Sequence, residues 1–276
     1  MKISVIGGGY VGLVTGTCFA QLGNAVTIID IDPKKVRAIN NGRPPVYENG
    51  LEDLMKQNTG TRLHASSGYE SVTDAEIVII CVGTPSNPDG NANLLYIKAA
   101  SISIGAALKN TSSYCVVVVK STVPPSTTER IVRPSVLKAS KKTENEIGFV
   151  MNPEFLREGR AVEDFLHPDR IVIGSRDLRA SNRVVDLYRH IKAPIICTGI
   201  SAAEMIKYAS NAFLATKISF SNEIGNICKN LGIDVYEVMK GVGLDARIGP
   251  RFLNAGAGFG GSCFPKDVSA LISLAK

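Results

Sequence analysis

The stretch GFGGSCFPKD at 258–267 is the part of the sequence whose residue types most clearly indicate chemistry. Four of the six residues from 256 to 261 are glycine, so a ligand can approach the backbone closely and meet outward-pointing N–H groups. Lys266 lies near enough in the chain to favour the thiolate form of Cys263. Cys263 is therefore a candidate nucleophile.

The other cysteines lie in apolar runs, where most cysteines are inert core residues. We expect this of Cys18, Cys81, Cys115, Cys197 and Cys228. They form no CxxC pair and have no regular spacing, so neither a zinc site nor a disulfide framework is predicted. A reducing cytoplasm is the simpler expectation.

A thiolate beside a dinucleotide site suits an aldehyde substrate, because the adduct can be oxidised to a thioester and then hydrolysed. Such chemistry also needs an oxyanion stabiliser and a group that manages protons and water. Glu204, Lys207 and Asn211 share one face of a predicted helix, and Lys207 and Asn211 could stabilise an oxyanion. The alternative for this trio is a solvated stripe with a surface ion pair.

A dinucleotide site is predicted at the N-terminus. Gly7, Gly9 and Gly12 form GxGxxG directly after an apolar strand at 2–7 and open a helix at 10–22. A second strand at 25–30 ends in Asp30, whose carboxylate can bind both hydroxyls of an adenosine ribose. Because an acid here would repel a 2′-phosphate, NAD is favoured over NADP.

Further strands alternate with helices and predict a doubly wound parallel sheet covered on both faces. The predicted strands are 75–82, 113–120, 146–151 and 170–175, with a helix at 94–109. Loops at the carboxyl ends of parallel strands are where ligands lie. These loops are 82–90, 120–130 and 152–159, for which ordinary turn chemistry is the alternative.

The pattern changes near residue 200. Ser201 and Glu204 fit a capping box, and 202–230 then run without proline, as in a long helix that joins domains or forms a dimer interface. A shorter helix at 234–241 and an apolar helix after Asp267 follow. We therefore predict a Rossmann-like NAD-binding domain at 1–200 and a helical central domain at 201–276.

Composition narrows the class of partner. The 276 residues are 45% hydrophobic and 20% charged, as expected of a globular protein. The net charge of +6 comes from basic residues spread along the chain, which disfavours nucleic acid and suits an anionic small molecule. The sequence contains no apolar run long enough to span a bilayer and does not begin with a leader pattern.

Seven motifs together resemble the UDP-glucose 6-dehydrogenase family, within the UDP-glucose/GDP-mannose dehydrogenase superfamily. In order along the chain they are GGGYVGL, VTIIDID, VGTP, KSTVP, NPEFLREG, AAEMIKYASNAFLATKISFSNE and FLNAGAGFGGSCFPKD. The resemblance implies oxidation of the C6 alcohol of UDP-glucose to a carboxylate, with two NAD molecules and one water, by a homodimer. It also implies a C-terminal UDP-binding domain that these 276 residues lack.

The resemblance assigns roles to individual residues. Cys263 would be the nucleophile, Lys207 and Asn211 would stabilise the oxyanion, and the remaining catalytic residues would be Asp267, Glu154 and Thr122. The implied NAD-binding residues are Gly7, Gly9, Tyr10, Val11, Gly12, Asp30, Lys35, Gly83, Thr84, Pro85, Ser121, Thr122, Glu158 and Lys266. The implied sugar-nucleotide residues are Phe155, Leu156, Arg157, Lys207, Asn211, Arg247, Phe252, Gly256 and Gly260. No metal is implied.

Three alternatives stay open at this stage. GDP-mannose dehydrogenases share the GGSC motif, whereas enzymes for UDP-N-acetyl sugars typically carry histidine where this chain has Ser262. A two-electron dehydrogenase of the β-hydroxyacid type would use a lysine and an asparagine on a long helix but no cysteine. A chain that binds NAD and turns nothing over without a separate UDP-binding domain is the third.

Overall fold

The computed structural model describes residues 1–276, which divide into two compact units. The first unit comprises 1–84 and 93–205, and the second comprises 85–92 and 206–276. No helix of the chain is both long enough and apolar enough to cross a membrane.

The first unit is built on one sheet of eight strands. In chain order they are β1 (Lys2–Ile6), β2 (Ala25–Ile29), β3 (Leu63–Ser66), β4 (Ile77–Ile80), β5 (Cys115–Val119), β6 (Ile147–Met151), β7 (Ile171–Ser175) and β8 (Ile195–Thr198). Their order across the sheet is β3-β2-β1-β4-β5-β6-β7-β8, and every neighbouring pair is parallel except β6 and β7. The predicted α/β fold with a mainly parallel sheet is confirmed.

Helices connect these strands. They are α1 (Tyr10–Gln21), α2 (Pro33–Asn40), α3 (Leu51–Asn58), α4 (Leu95–Leu108), α5 (Arg133–Ser140), α6 (Ala161–Leu166) and α7 (Leu178–Leu187). Strands β4, β5 and β6 are buried along their whole length, because side chains on both faces of the sheet are covered. The β-branched runs that predicted these strands are therefore central core segments.

The long helix is also confirmed, as α8 (Ile200–Leu231). The boundary between the two units falls within it. The second unit continues with α9 (Val235–Gly243) and α10 (Phe264–Leu274). The glycine-rich stretch that the sequence singled out lies between these last two helices.

The predicted capping box at the start of α8 is wrong. Ser201 lies inside the first turn, and its hydroxyl donates to Glu129 at 3.2 Å. The Glu204 carboxylate, which is fully buried, accepts hydrogen bonds from the backbone N–H groups of Ser126 (2.5 Å) and Thr128 (2.8 Å). Glu204 thus stabilises a turn from a distant part of the chain and not its own helix end.

Glu204 is expected to make stability depend on pH. Burial raises the pKa of Glu204 from 4.5 to about 7, although the N–H groups of Thr128 and Ser126 partly offset this. Between these values the folded chain keeps a proton that the unfolded chain releases. Stability is therefore fully present below pH 4.5 and declines as the pH rises through about 7, by at most about 3 kcal/mol.

Urea unfolding of the Glu204→Gln variant between pH 4.5 and 8 measures this effect. The difference in unfolding free energy between wild type and variant should change across that window. Glu163→Gln, at an exposed carboxylate paired with Arg160, should leave a constant difference. A constant difference for Glu204→Gln as well would show that another group carries the pH dependence.

Candidate active site

The glycine loop between β1 and α1 leaves space for a phosphate group. Gly7 has a φ of +104°, which a residue with a side chain rarely adopts. A Cβ at Gly12 would lie 1.9 Å from the carbonyl oxygen of Gly7, so the loop can close onto α1 only with glycine there. Nothing lies within 4 Å of a Cβ built at Gly9, where a ligand can approach the backbone.

Asp30 follows β2 and is held in place by the glycine loop. Its Oδ2 accepts a hydrogen bond from the N–H of Gly8 at 2.7 Å, and its Oδ1 accepts from the N–H of Asp32 at 2.9 Å. The ammonium of Lys35 lies 3.5 Å from Oδ2. The predicted ribose-binding carboxylate is thus fixed beside the glycines, as binding of NAD requires.

The loops after β4 and β5 are tied together. The Thr84 hydroxyl donates to the Thr122 carbonyl at 2.8 Å, and the Ser121 hydroxyl donates to the Val82 carbonyl at 2.6 Å. Two loops that the sequence placed at the carboxyl ends of neighbouring strands therefore lie together in the first unit. Gly83 lies within this pair of loops, and Pro85 belongs to the second unit.

Behind these loops lies a buried polar group that sequence reasoning missed. The Lys120 ammonium donates to Asn152 Oδ1 at 3.0 Å and to the Tyr188 hydroxyl at 3.1 Å, and the Tyr188 hydroxyl donates to Asn152 at 2.6 Å. The same ammonium lies 5.9 Å from the centre of the Phe165 ring. It fixes the start of the loop after β5 to the start of the loop after β6.

The loop after β6 carries the predicted residues Glu154 to Glu158. The buried Glu154 carboxylate accepts from the N–H of Leu156 at 2.7 Å. The Arg157 guanidinium pairs with Asp164 at 2.5 Å, and that of Arg170 stacks 3.8 Å from the centre of the Phe155 ring. These side chains surround a cavity of about 90 Å³, and Glu158 is exposed beside it.

In the second unit, Cys263 is exposed at the start of α10 and lies beside a buried carboxylate. Asp267 is 1% exposed, and its N–H donates to the Cys263 carbonyl at 2.9 Å. Its carboxylate accepts from the amide of Asn211 at 2.6 Å and from the ammonium of Lys266 at 2.5 Å. Three predicted residues thus form one network, and its carboxylate lies one helical turn after Cys263.

Lys207 lies one turn before Asn211 on α8, and both side chains are buried. Glu204, one turn earlier still, is also buried. The alternative of a solvated stripe for these three residues is therefore excluded. A cation and an amide that are shielded from water are well suited to stabilising negative charge on a substrate oxygen.

The glycine-rich segment before Cys263 is held at several points. The Gly256 N–H donates to Asn222 at 2.7 Å, and Phe252, which has a φ of +64°, packs against Phe264 with ring centres 6.4 Å apart. Arg247 pairs with Asp245 at 2.6 Å and stays exposed. Nothing lies within 4 Å of a Cβ built at Gly260, which leaves its backbone open to a ligand.

The other thiols differ from Cys263. Burial raises the pKa of Cys18, Cys81 and Cys115 to about 12, which confirms that these thiols stay protonated core groups. Cys228 is buried as well. The expectation for Cys197 was wrong, because it is exposed on β8, the edge strand of the sheet.

The chain matches models of two consecutive domains of one family. Residues 1–192 match the NAD-binding domain of the UDP-glucose/GDP-mannose dehydrogenase family, and residues 201–276 match its central domain. The chain belongs to this family. Its glycine loop and Asp30 are those of an NAD-binding domain, and residues Cys263 to Asp267 lie in the central domain.

Named relatives cover the whole chain. It is 52% identical to UDP-glucose 6-dehydrogenase TuaD of Bacillus subtilis over 100% of this chain and 59% of that protein. It is 45% identical to UDP-glucose 6-dehydrogenase AglM of Haloferax volcanii, over 100% of this chain and 66% of that protein. The chain thus spans about three-fifths of the length of these relatives.

Solved structures of dehydrogenases also match almost the whole chain. A UDP-glucose dehydrogenase from Pyrobaculum islandicum superposes with a TM-score of 0.96 at 46% identity, over 99% of this chain and 63% of that one. A GDP-mannose dehydrogenase from Pseudomonas aeruginosa superposes with a TM-score of 0.88 at 40% identity, over 100% of this chain and 64% of that one.

Replacing Asp30 with alanine is expected to weaken NAD binding by about 10- to 100-fold, since charge-assisted hydrogen bonds to the ribose are lost. The preference for NAD over NADP should shrink too, because a carboxylate no longer faces the 2′ position. Titration calorimetry with both dinucleotides measures both effects. Asp32→Ala, which removes the exposed cap of α2, is the matched control, and equal losses in the two variants would contradict the prediction.

Proposed function

We propose that this chain carries the catalytic machinery for NAD-dependent four-electron oxidation of UDP-glucose to UDP-glucuronate. The observation that carries the proposal is the exposed cysteine Cys263 one helical turn before Asp267, whose buried carboxylate is bound by Asn211 and Lys266. A simple two-electron alcohol dehydrogenase needs no nucleophile. A cysteine in this setting is suited to holding an aldehyde so that it can be oxidised again.

Each residue of the proposed site has a separate role in the reaction. The Cys263 sulfur attacks the C6 aldehyde and forms a thiohemiacetal, and Lys207 and Asn211 stabilise the charge on the oxygen. Loss of a hydride from C6 and of the hydroxyl proton converts the thiohemiacetal to a thioester. Asp267 holds the water that cleaves the thioester, Thr122 assists the hydrolysis, Glu154 serves as a base, and the thiol is restored.

NAD, when bound, supplies the two-electron acceptor for each of the two oxidation steps. The alcohol, one water and two NAD molecules thus give the carboxylate, two NADH and the released protons. The glycine loop and Asp30 hold the dinucleotide, together with Lys35, which pairs with Asp30. The further residues proposed to bind NAD are Tyr10, Val11, Ser121, Thr122, Glu158 and Lys266.

UDP-glucose is favoured over other sugar nucleotides. The curated relatives described above are UDP-glucose 6-dehydrogenases by name, and Ser262 stands where enzymes for N-acetyl sugars typically carry histidine. GDP-mannose is the rival substrate, since a GDP-mannose dehydrogenase superposes on the same chain. Phe155, Leu156, Arg157, Arg247, Phe252, Gly256 and Gly260 are the proposed sugar-nucleotide contacts.

Counting NADH against UDP-glucuronate tests the proposal. With NAD and UDP-glucose, two NADH per UDP-glucuronate are expected, and GDP-mannose should give far less NADH. One NADH per product would favour the two-electron alternative. A chain that binds NAD and forms no NADH would contradict the proposed oxidation for these 276 residues. Supplying the C-terminal part of a relative as a separate chain would then test the binding-only alternative.

We also propose a homodimer through α8, in the cytoplasm. Phe213, Phe220 and Ile227 are spaced seven residues apart, which places them on one side of the helix, and each is more than half exposed. A second copy is suited to covering such a stripe. Sedimentation should give a dimer for the wild type and a monomer for Phe220→Glu, whereas Tyr47→Glu, at an exposed aromatic in the first unit, should stay dimeric.

A further inference from the structure

Glu48 is a buried carboxylate that the proposed mechanism does not use. It is 4% exposed, and it lies between α2 and α3 in the stretch VYENG. Its Oε2 accepts a hydrogen bond from the N–H of Gly159 at 2.8 Å, and its Oε1 accepts from the N–H of Ala161 at 3.0 Å. A buried carboxylate is costly unless its hydrogen-bonding capacity is used, so this contact specifies where residues 159 and 161 lie.

The two amides belong to the end of the loop after β6. We call residues 152–160 the substrate loop, because it carries Phe155 to Arg157. The side chain of Arg160, which precedes α6, does not cap that helix, so Glu48 supplies the missing acceptor from a distant part of the chain. The side chain of Asn49 donates to the Gly159 carbonyl at 2.8 Å. Residues 48 and 49 thus hold both the N–H and the C=O of one loop residue.

The same carboxylate also accepts a hydrogen bond from Tyr10, the first residue of α1. The Tyr10 hydroxyl donates to Glu48 Oε2 and lies 3.5 Å from the Arg157 carbonyl. Burial, followed by the hydrogen bond to Glu48, raises the pKa of Tyr10, so the hydroxyl keeps its proton and remains a donor. One carboxylate therefore joins the glycine loop to the substrate loop.

We propose that Glu48 is a positioning residue that couples occupancy of the glycine loop to the order of the substrate loop. When NAD fixes Tyr10, the shared carboxylate is fixed as well, and with it the amides of Gly159 and Ala161. The loop that contacts the sugar nucleotide is thus set before that substrate arrives. The name of the loop and the contact between NAD and Tyr10 rest on the proposed function, but the coupling does not depend on which sugar nucleotide is the substrate.

Amide hydrogen exchange at Gly159 and Ala161, with and without saturating NAD, tests the coupling. In the wild type, NAD should slow exchange of these amides by about tenfold. In Glu48→Gln and in Tyr10→Phe the ratio should fall below about twofold. A merely structural Glu48 would speed exchange equally in both states and leave the ratio unchanged.

Glu163→Gln is the matched control, because it removes an exposed carboxylate from α6 and should keep the wild-type ratio. A wild-type ratio in Glu48→Gln would overturn the proposal. If Glu48→Gln fails to fold, Tyr10→Phe decides alone, since it keeps the carboxylate and removes only the shared hydroxyl. The experiment measures amide exchange and needs no dehydrogenase assay, so its outcome does not depend on the assignment of the sugar-nucleotide substrate.

Discussion

Replacing Cys263 with alanine is expected to lower formation of UDP-glucuronate by more than about a thousandfold while leaving NAD affinity unchanged. In the proposed mechanism the Cys263 sulfur holds the substrate between the two oxidation steps, and no other residue of the network is a nucleophile of comparable strength. The NAD-binding domain spans residues 1–192, and Cys263 is not among the proposed NAD contacts, so NAD affinity should not depend on the thiol. Product formation by chromatography and NAD binding by calorimetry measure the two quantities.

Cys197→Ala is the matched control, because Cys197 is the other exposed cysteine and lies on β8. It should retain wild-type turnover. Cys263→Ser adds a second comparison, since a hydroxyl at this position is a much poorer nucleophile. Full turnover by Cys263→Ser would contradict the thioester proposal and favour the two-electron alternative.

Asp267→Asn is expected to lower kcat by about 100- to 1,000-fold with a smaller effect on KM. The carboxylate accepts hydrogen bonds from Asn211 and Lys266, and both donors need an acceptor oxygen. An amide offers only one, so its NH₂ group must face one of the two donors. The variant loses both the geometry of the network and the negative charge that can manage a proton.

Steady-state kinetics combined with urea unfolding distinguishes this role from a structural one. The variant should lose kcat much more than substrate affinity, while its unfolding midpoint should fall only modestly. Asp53→Asn, at an exposed aspartate on α3, provides the control for removal of a charge. An unchanged kcat in Asp267→Asn would remove Asp267 from the proposed machinery.

The central strands could be predicted because their sequences are uninterrupted β-branched runs. In β5, for example, all five residues are buried, so the apolar run correctly indicates a strand in the core. The glycine loop could be predicted for a similar reason, since Gly7 and Gly12 meet local steric demands. By contrast, β3 has only four residues and α6 only six, and contacts with distant segments stabilise them.

Predictions from the sequence were wrong where the surroundings of a residue depend on distant parts of the chain. Ser201 and Glu204 fit a capping box, but the Glu204 carboxylate binds amides more than seventy residues away in the chain. Cys197 lies in an apolar run, but that run is at the edge of the sheet, where one side stays uncovered. Nothing in the stretch VYENG marks Glu48, because its partners are determined only by the fold.

The distribution of thiols has a practical consequence for labelling. Of six cysteines, only Cys197 and Cys263 are exposed, and the rest are shielded from reagents in solution. In a Cys197→Ala background, a maleimide or haloacetamide probe should attach at one defined position. That position is the proposed nucleophile, so the rate of labelling would report directly whether a substrate or product covers the sulfur. Without reducing agent, the two exposed thiols would also be the ones that cross-link separate molecules.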